Sequence, residues 1–473
     1  MRFVLPGKVD QIIKTLKSAG FEAYAVGGCV RDLMLDRRPN DWDITTNARP
    51  EQVKALFKRT FDTGIKHGTV TVILKGEHFE VTTYRVDGVY EDGRHPKEVT
   101  FTRSLREDLK RRDFTINAFA FNDEEGLIDE FNGREDLQNG IIRAVGDAGE
   151  RFGEDALRIL RAFRFSAQLG FSIEEKTLKA AKDLAENLKN ISVERIFEEF
   201  GKLICSPHPE VLRDMYEAGI TAVILPEFDV CMKMEQKNKH HLYTVGEHII
   251  RALMADAADP LCMEPEYVSE EEWREFLSTY KKIRESFDYG DRNIQRKIRY
   301  ALLFHDMGKP ACMTEDEGGS RHFKGHAEVS EKMAADILHR LHSDNDTVDT
   351  VKKLVRYHDH RPEAKKNLIR RAMSRIGDDY ALLFPVRVAD TLAQSSYMRK
   401  DKLKYEAEVM ELYLSIISDR ECVSLSDLAV NGSDLIKAGI SPGPALGEKL
   451  RELLDLVLED PECNTKEFLL SKL

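Results

Sequence analysis

The chain has 473 residues, 42% of them hydrophobic and 33% charged, with a formal net charge of −12. That length allows roughly two to four domains with cores of their own. No run approaches the ~20 apolar residues of a membrane span, and the N-terminus MRFVLPGKVDQ lacks the pattern of a signal peptide. The acidic balance excludes a surface that is basic throughout, so any contact with nucleic acid must use local basic patches. Seven cysteines (Cys29, Cys205, Cys231, Cys262, Cys312, Cys422, Cys463) show no C-x-x-C spacing. This argues against a zinc ribbon or a disulfide framework and for a reducing, cytoplasmic compartment.

Residues 1–24 contain the spacing of an amphipathic helix (Val9, Ile12, Ile13, Leu16) that stops at Gly20. The stretch AYAVGGCVRDLMLDRRPNDWDITT follows, read as strand, glycine turn, short helix, loop and strand. Glycines at such a turn let the backbone approach a phosphate, so Gly28 and Arg31 are candidate phosphate contacts. Asp41 and Asp43, two apart on a strand, project to one face. Paired carboxylates facing a phosphate site suit Mg²⁺, a hard cation that takes oxygen ligands. Two such ions can stabilise both oxygens of an in-line displacement. GGCVRD followed by NDWDITT resembles the nucleotidyltransferase signature of the class II tRNA CCA-adding enzymes and bacterial poly(A) polymerases.

Downstream, Pro50–Arg59 reads as a helix, and Thr69–Leu74 and His78–Arg85 read as strands joined at Lys75-Gly76-Glu77. Glu80, on the second strand, is either a third carboxylate near Asp41 and Asp43 or an exposed strand residue. The polar stretch Asp87–Val99 reads as a loop. In the resembled family a flexible loop at this place is implicated in the switch from C to A addition, and relatives that add only CC lack it. In LKRRDFTINA a basic triplet precedes an apolar run, the pattern of a strand start; the resemblance makes Arg112 a triphosphate contact. The α/β part closes near Val145.

From Gly149 the pattern is helical, and EDALRILRAFRF turns Leu157, Leu160 and Phe163 or Phe165 toward a core. Asp155 and Arg158, three apart, are read as neighbours on the helix surface, and Arg161 and Arg164 extend a basic ridge. Cytosine and adenine both present an exocyclic amino donor beside a ring-nitrogen acceptor. A carboxylate can accept from the first while a guanidinium donates to the second. Uracil and guanine reverse this pattern and leave groups unpaired. The segment resembles the family's nucleotide-recognition motif, which implies that Asp155 and Arg158 select CTP and ATP, with Arg161 and Arg164 as further nucleotide contacts. Helices follow to Phe228 as a scaffold.

Residues 233–420 carry His248, His305, Asp306, His326, His358 and Asp390 in the order H…HD…H…H…D. Imidazoles and carboxylates suit a divalent transition metal or Mg²⁺. The ordered set resembles the HD-domain metal-dependent phosphohydrolases, and Glu264–Asp291 reads as a charged insertion. Cys422–Leu473 resembles the tail with which bacterial CCA-adding enzymes grip tRNA, through a Gly-Ile-Ser-Pro-Gly-Pro-Ala turn and Lys449 and Arg451.

The sequence thus predicts an α+β chain: a nucleotidyltransferase head with a mixed β-sheet (1–145), then all-helical neck and body (146–232), HD (233–420) and tail (421–473) domains. The resemblance implies template-independent addition of CCA to tRNA, with Asp41 and Asp43 catalytic. Poly(A) addition, partial CC or A addition, and an HD hydrolase with an inert head stand as alternatives. No membrane partner is expected, and the oligomeric state is not legible.

Overall fold

A computed structural model describes residues 4–64, 68–88, 99–262 and 269–473. The chain forms two compact units, Met1–Ile224 and Leu225–Leu473.

The first unit begins with helix α1 (Gly7–Ser18), whose Val9, Ile12, Ile13 and Leu16 are buried as their spacing requires. A seven-stranded mixed sheet follows, in the order β3-β4-β5-β2-β1-β8-β9. Its strands are β1 (Ala23–Val26), β2 (Asp43–Thr46), β3 (Thr60–Gly64), β4 (Thr69–Leu74), β5 (Glu77–Thr83), β8 (Phe119–Asn122) and β9 (Gly126–Asp129). Two short strands outside it, β6 (Arg85–Asp87) and β7 (Val99–Phe101), pair with each other. The predicted loop at Asp87–Val99 lies between them, and its residues 89–98 are outside the described residues. The β2–β5 pair is parallel and the other described pairs of the large sheet are antiparallel. The β4–β5 turn is made by Lys75 and Gly76, both at positive φ (51° and 82°), as a tight two-residue hairpin demands. Helices α2 (Gly28–Met34), α3 (Pro50–Leu56), α4 (Leu105–Lys110) and α5 (Gly133–Asn139) flank the strands.

Three sequence expectations need correction here. The helix from Pro50 stops at Leu56, and Thr60–Gly64 is a strand. Phe61 on that strand is 56% exposed, so its residues carry no inward-facing alternation to mark it. RRDFTINA does not start a strand: Thr115–Asn117 is a 3₁₀ turn, with Phe114 N–H bonded to the Asp113 carboxylate. The recognition segment is not one helix. α6 (Ala148–Glu154) and α7 (Leu157–Leu169) are separated at Asp155, which has φ −146° and ψ 103°. The Asp155 carboxylate accepts from the Leu157 N–H at 3.1 Å, a local bond that competes with helix continuation. Helices α8 (Glu175–Asp183), α9 (Val193–Ile204), α10 (Val211–Glu217) and α11 (Thr221–Ile224) complete the unit.

The second unit is almost wholly helical: α12 (Pro226–Lys233), α13 (Val245–Ala257), α14 (Glu270–Glu285), α15 (Arg292–Phe304), α16 (Lys309–Cys312), α17 (His326–Arg340), α18 (Asn345–Tyr357), α19 (Lys366–Ile376), α20 (Leu383–Ala393) and α21 (Arg399–Ser418). The predicted charged insertion contains α14, which starts in a Ser269–Glu272 capping box and buries Trp273, Phe276, Tyr280 and Ile283. Helices α22 (Gly432–Lys437), α23 (Pro444–Glu459) and α24 (Lys466–Leu470) enclose an end cluster of Leu428, Leu435, Leu453, Val457 and Leu469. No described helix is long and apolar enough to cross a membrane.

Candidate functional site

In the first unit the sheet places three carboxylates at one end. Asp43 opens β2, Asp41 precedes it by two residues, and the parallel register sets Glu80 opposite Asp43. Glu80 therefore joins the aspartates, the first of the two readings left open by the sequence. Asp43 and Glu80 both hold protons more tightly than ordinary carboxylates. Partial loss of hydration is the main cause in each; neighbouring negative charge adds to it, and Arg112 opposes it at Asp43. All three carboxylates reach solvent. Hard oxygen donors with mutually uncompensated charge fit Mg²⁺.

The glycine turn adjoins this end. Gly27 has φ 82°, a conformation that side chains disfavour, and a Cβ there would stand 2.9 Å from Nη1 of Arg112. Arg112 thus reaches the turn itself. Its Nε makes no hydrogen bond, and its pair with Asp108 is loose at 3.6 Å. Arg31 is more constrained: it donates to Asn117 Oδ1 at 2.7 Å and to Asp32, beside Gly28.

Behind them runs a relay that joins Arg161 to Asn117 and Asp113, two buried residues to which the sequence assigned no role. Asn117 Nδ2 donates to Asp113 at 3.1 Å, and Asp113 receives Arg161 Nε at 2.8 Å. Burial alone would raise the Asp113 carboxyl, but Arg161 and Asn117 hold it far below the usual range. Arg161, Arg164 and Arg31 all approach the face of Phe165, at 5.3, 3.9 and 5.1 Å from its centre. Arg164 is 8% exposed and bonded to Glu199 and Gln168.

The two predicted base readers lie in one turn at the helix break, where the Asp155 carbonyl accepts from the Arg158 N–H at 3.0 Å, and each side chain has another partner. Asp155 pairs with Arg195 of α9 at 2.7 Å. Arg158 donates to Glu154 at 2.7 Å and to the Arg111 carbonyl at 3.0 Å. Glu154 and Arg195 were not singled out from sequence. Glu154 stands inside the quoted EDALR stretch, whereas Arg195, 40 residues from Asp155, left no local signal.

In the second unit six predicted side chains converge as two groups, His248–His305–Asp390 and Asp306–His326–His358. They come from α13, the end of α15, the start of α17, the end of α18, and α20. Asp306 joins the groups: Oδ2 lies 3.3 Å from His248 and 3.2 Å from His305, while Oδ1 lies 3.3 Å from His326. The ring nitrogens Nδ1 of His305, His326 and His358 lie 2.7–2.9 Å from the carbonyls of Leu302, Phe323 and Val355. Each Nδ1 must carry the proton to make that bond, which turns an Nε2 lone pair inward. His305 Nε2 faces His248 Nε2 at 3.2 Å, and His326 Nε2 faces His358 Nε2 at 3.3 Å. Lone pairs opposed in this way fit cations held between them. Lys309 Nζ sits 2.7 Å from Asp306 and is also bonded to Gln236 and His241, two residues the sequence reading passed over.

Comparison with known proteins accords with the head geometry. The poly A polymerase head domain family matches residues 23–143, the RNA- and SrmB-binding site of polymerase A matches 170–232, and tRNA nucleotidyltransferase domain 2 matches 322–473. The CCA-adding enzyme of Streptococcus thermophilus is 35% identical over 98% of this chain and 95% of its own length. That of Lactobacillus helveticus is 59% identical over 42% of this chain, and the chain spans only 50% of that relative's length. Among solved structures, the Bacillus stearothermophilus CCA-adding enzyme in complex with CTP is similar with a TM-score of 0.66 and 29% identity, covering 98% of this chain and 95% of that one. The Thermotoga maritima CCA-adding enzyme complexed with tRNA shares the fold at a TM-score of 0.56 and 22% identity, with coverage of 99% and 95%. The chain belongs to the CCA-adding enzyme family.

Proposed function

We propose that this chain adds CCA to the 3′ end of tRNA, using CTP and ATP and releasing pyrophosphate. The observation that carries the reading is the register of Asp43 against Glu80, with Asp41 beside them and Arg112 at the Gly27 turn. Asp41 and Asp43, aided by Glu80, would hold Mg²⁺. When bound, Mg²⁺ neutralises triphosphate charge and favours ionisation of the attacking 3′-hydroxyl. Arg112 and the backbone at Gly27 and Gly28 bind the triphosphate. Arg31 adds charge there while fixed to Asn117 and Asp32. Asp155 accepts from the amino group of cytosine or adenine and Arg158 donates to the ring nitrogen. Binding would exchange their present partners, Arg195 and Glu154, for the base. Arg161 sits within reach of the same nucleotide, and Arg164 supports it through Phe165 and Glu199. Cys29 and Cys231, buried as thiols outside any disulfide, suit a cytoplasmic protein.

Purified protein offered tRNA transcripts ending before CCA, after C and after CC tests this reading. With Mg²⁺, CTP and ATP, the expected products gain three, two and one nucleotides and then stop. Long A tails would point to poly(A) synthesis, and arrest after CC to a CC-adding enzyme.

A second reading rests on a separate observation, the opposed Nε2 atoms around Asp306. The His/Asp cluster would hold two divalent ions, with His248, His305 and Asp390 on one, His326 and His358 on the other, and Asp306 between. When bound, such ions supply an activated water for phosphoester hydrolysis. Lys309 then steadies Asp306 and presents positive charge to a phosphate. Hydrolysis of p-nitrophenyl phosphate or its bis-ester, lost in His305→Ala, tests this activity.

A further inference from the structure

Behind the His248–His305–Asp390 group lies Glu406 of α21, a fully buried carboxylate neither of whose oxygens closes a hydrogen bond. The Arg361 guanidinium stands between it and a candidate metal ligand. Arg361 Nε is 3.4 Å from Glu406 Oε1, and Nη2 is 4.0 Å from Asp390 Oδ2. Neither of those nitrogens makes a hydrogen bond, whereas Nη1 donates to Asp359 at 2.6 Å. Asp390 is otherwise held by Gln394, whose Nε2 lies 2.9 and 3.0 Å from its two oxygens. A second cation faces Glu406: Arg387, whose nitrogens are bonded to the carbonyls of Tyr357 and His358.

An arginine keeps its charge when buried and pairs with whichever carboxylate is available to it. Arg361 is shared between Glu406 and Asp390 and lies nearer the former. We propose that Glu406 is a positioning residue for Asp390: it holds Arg361 back from a full ion pair, so that the charge on Asp390 is kept for a metal ion. The proposal rests on the two-ion reading of the cluster. Without the charge on Glu406, Arg361 closes on Asp390 and competes with the cation in the His248–His305–Asp390 group. The Asp306–His326–His358 group is not touched by Arg361 and keeps its ion. Partners of this kind alter metal affinity by about 10–100-fold.

Titration of the full chain with Mn²⁺, followed by calorimetry and by the spin signal of free Mn²⁺, tests the idea without assaying activity. Carried out in the Asp41→Ala/Asp43→Ala background, so that the head takes no ion, the titration is expected to give two ions for the unaltered cluster, the wild type of this comparison. Glu406→Gln should weaken one of them about 10–100-fold and leave the other within about threefold. The double variant Glu406→Gln/Arg361→Gln should bring the weakened site back to within about threefold of wild type, a rescue that a merely structural role for Glu406 would not give. Two unaltered affinities in Glu406→Gln, or no rescue in the double variant, would overturn the proposal. A wild-type chain that takes no Mn²⁺ would instead remove the two-ion reading on which it stands. Should Glu406→Gln fail to fold by circular dichroism, Arg361→Gln alone decides: binding as tight as wild type or tighter supports the proposal, and weaker binding contradicts it.

Discussion

In the first unit Asp41 and Asp43 stand exposed at the start of β2, opposite the exposed Glu80 of β5, while in the second Asp306 and Asp390 are 1% and 4% exposed and ringed by imidazoles. Among the described residues, tight groups of three or more candidate ligand atoms occur only in the second unit. The difference follows from what each architecture offers. The start of a short interior strand leaves its carboxylates open to solvent, where phosphates of a bound ligand can complete the coordination of Mg²⁺. Five helices converging on one point bury the ligands and fix the imidazoles of His305, His326 and His358 by backbone carbonyls, so the ligand sets are assembled in advance. The head is therefore an open site whose coordination is completed by what it binds, and the cluster is a closed site whose ligands are in place before an ion arrives.

Variants that act on one site and spare the other sharpen this contrast. The largest effect is expected from Asp306→Ala, which removes the carboxylate common to both groups: metal analysis should show both ions lost, with addition to tRNA within about twofold of wild type. A parallel collapse of nucleotide addition would break the separation. Next, Asp155→Ala should lower the preference for CTP over UTP about 10³-fold, because a site built to accept from the amino group would no longer penalise its absence. Competition kinetics on a tRNA ending before CCA reads this directly. Glu80→Gln should reduce the rate about 10–100-fold and raise the Mg²⁺ needed for half-maximal addition, by analogy with other ligand-sphere losses. An unchanged Mg²⁺ requirement would return Glu80 to the status of an exposed strand residue. The smallest effect concerns pH. Partial loss of hydration and neighbouring charge raise the proton affinity of Asp43 and Glu80, so protons compete with Mg²⁺ at higher pH than for free carboxylates. The Mg²⁺ requirement should rise as pH falls, by less than about tenfold per unit for each proton displaced, and a requirement that falls in acid would contradict the assignment.

What could be read in the sequence differed between the sites for the same physical reasons. The head announced itself through short-range order: Gly27 at the positive φ its turn needs, Asp41 and Asp43 two apart, and Lys75-Gly76 at the hairpin. The individual strands and the helical remainder followed from periodicity, and the resemblance implied the mixed sheet. The cluster was legible because its ligand types recur in a fixed order, although 142 residues separate His248 from Asp390. Partnerships across the chain were not legible. Arg195 with Asp155, Asp113 with Arg161, and Arg361 between Glu406 and Asp390 depend on tertiary packing and leave no local spacing. The break at Asp155 also escaped, since EDALRILRAFRF has good helix periodicity and only the side-chain bond to Leu157 N–H interrupts it. The edge strand Thr60–Gly64 was hidden by its exposed side chains.

The central claim is that Asp41 and Asp43 perform nucleotide addition independently of the His/Asp cluster. Its most direct test is the double variant Asp41→Ala/Asp43→Ala, given a tRNA ending before CCA with CTP, ATP and Mg²⁺. Products would be sized to the nucleotide, and Mn²⁺ binding by the cluster measured on the same preparation. The account predicts no added nucleotide and two Mn²⁺ ions still bound. Persisting CCA addition, or loss of the ions together with the addition, would contradict it.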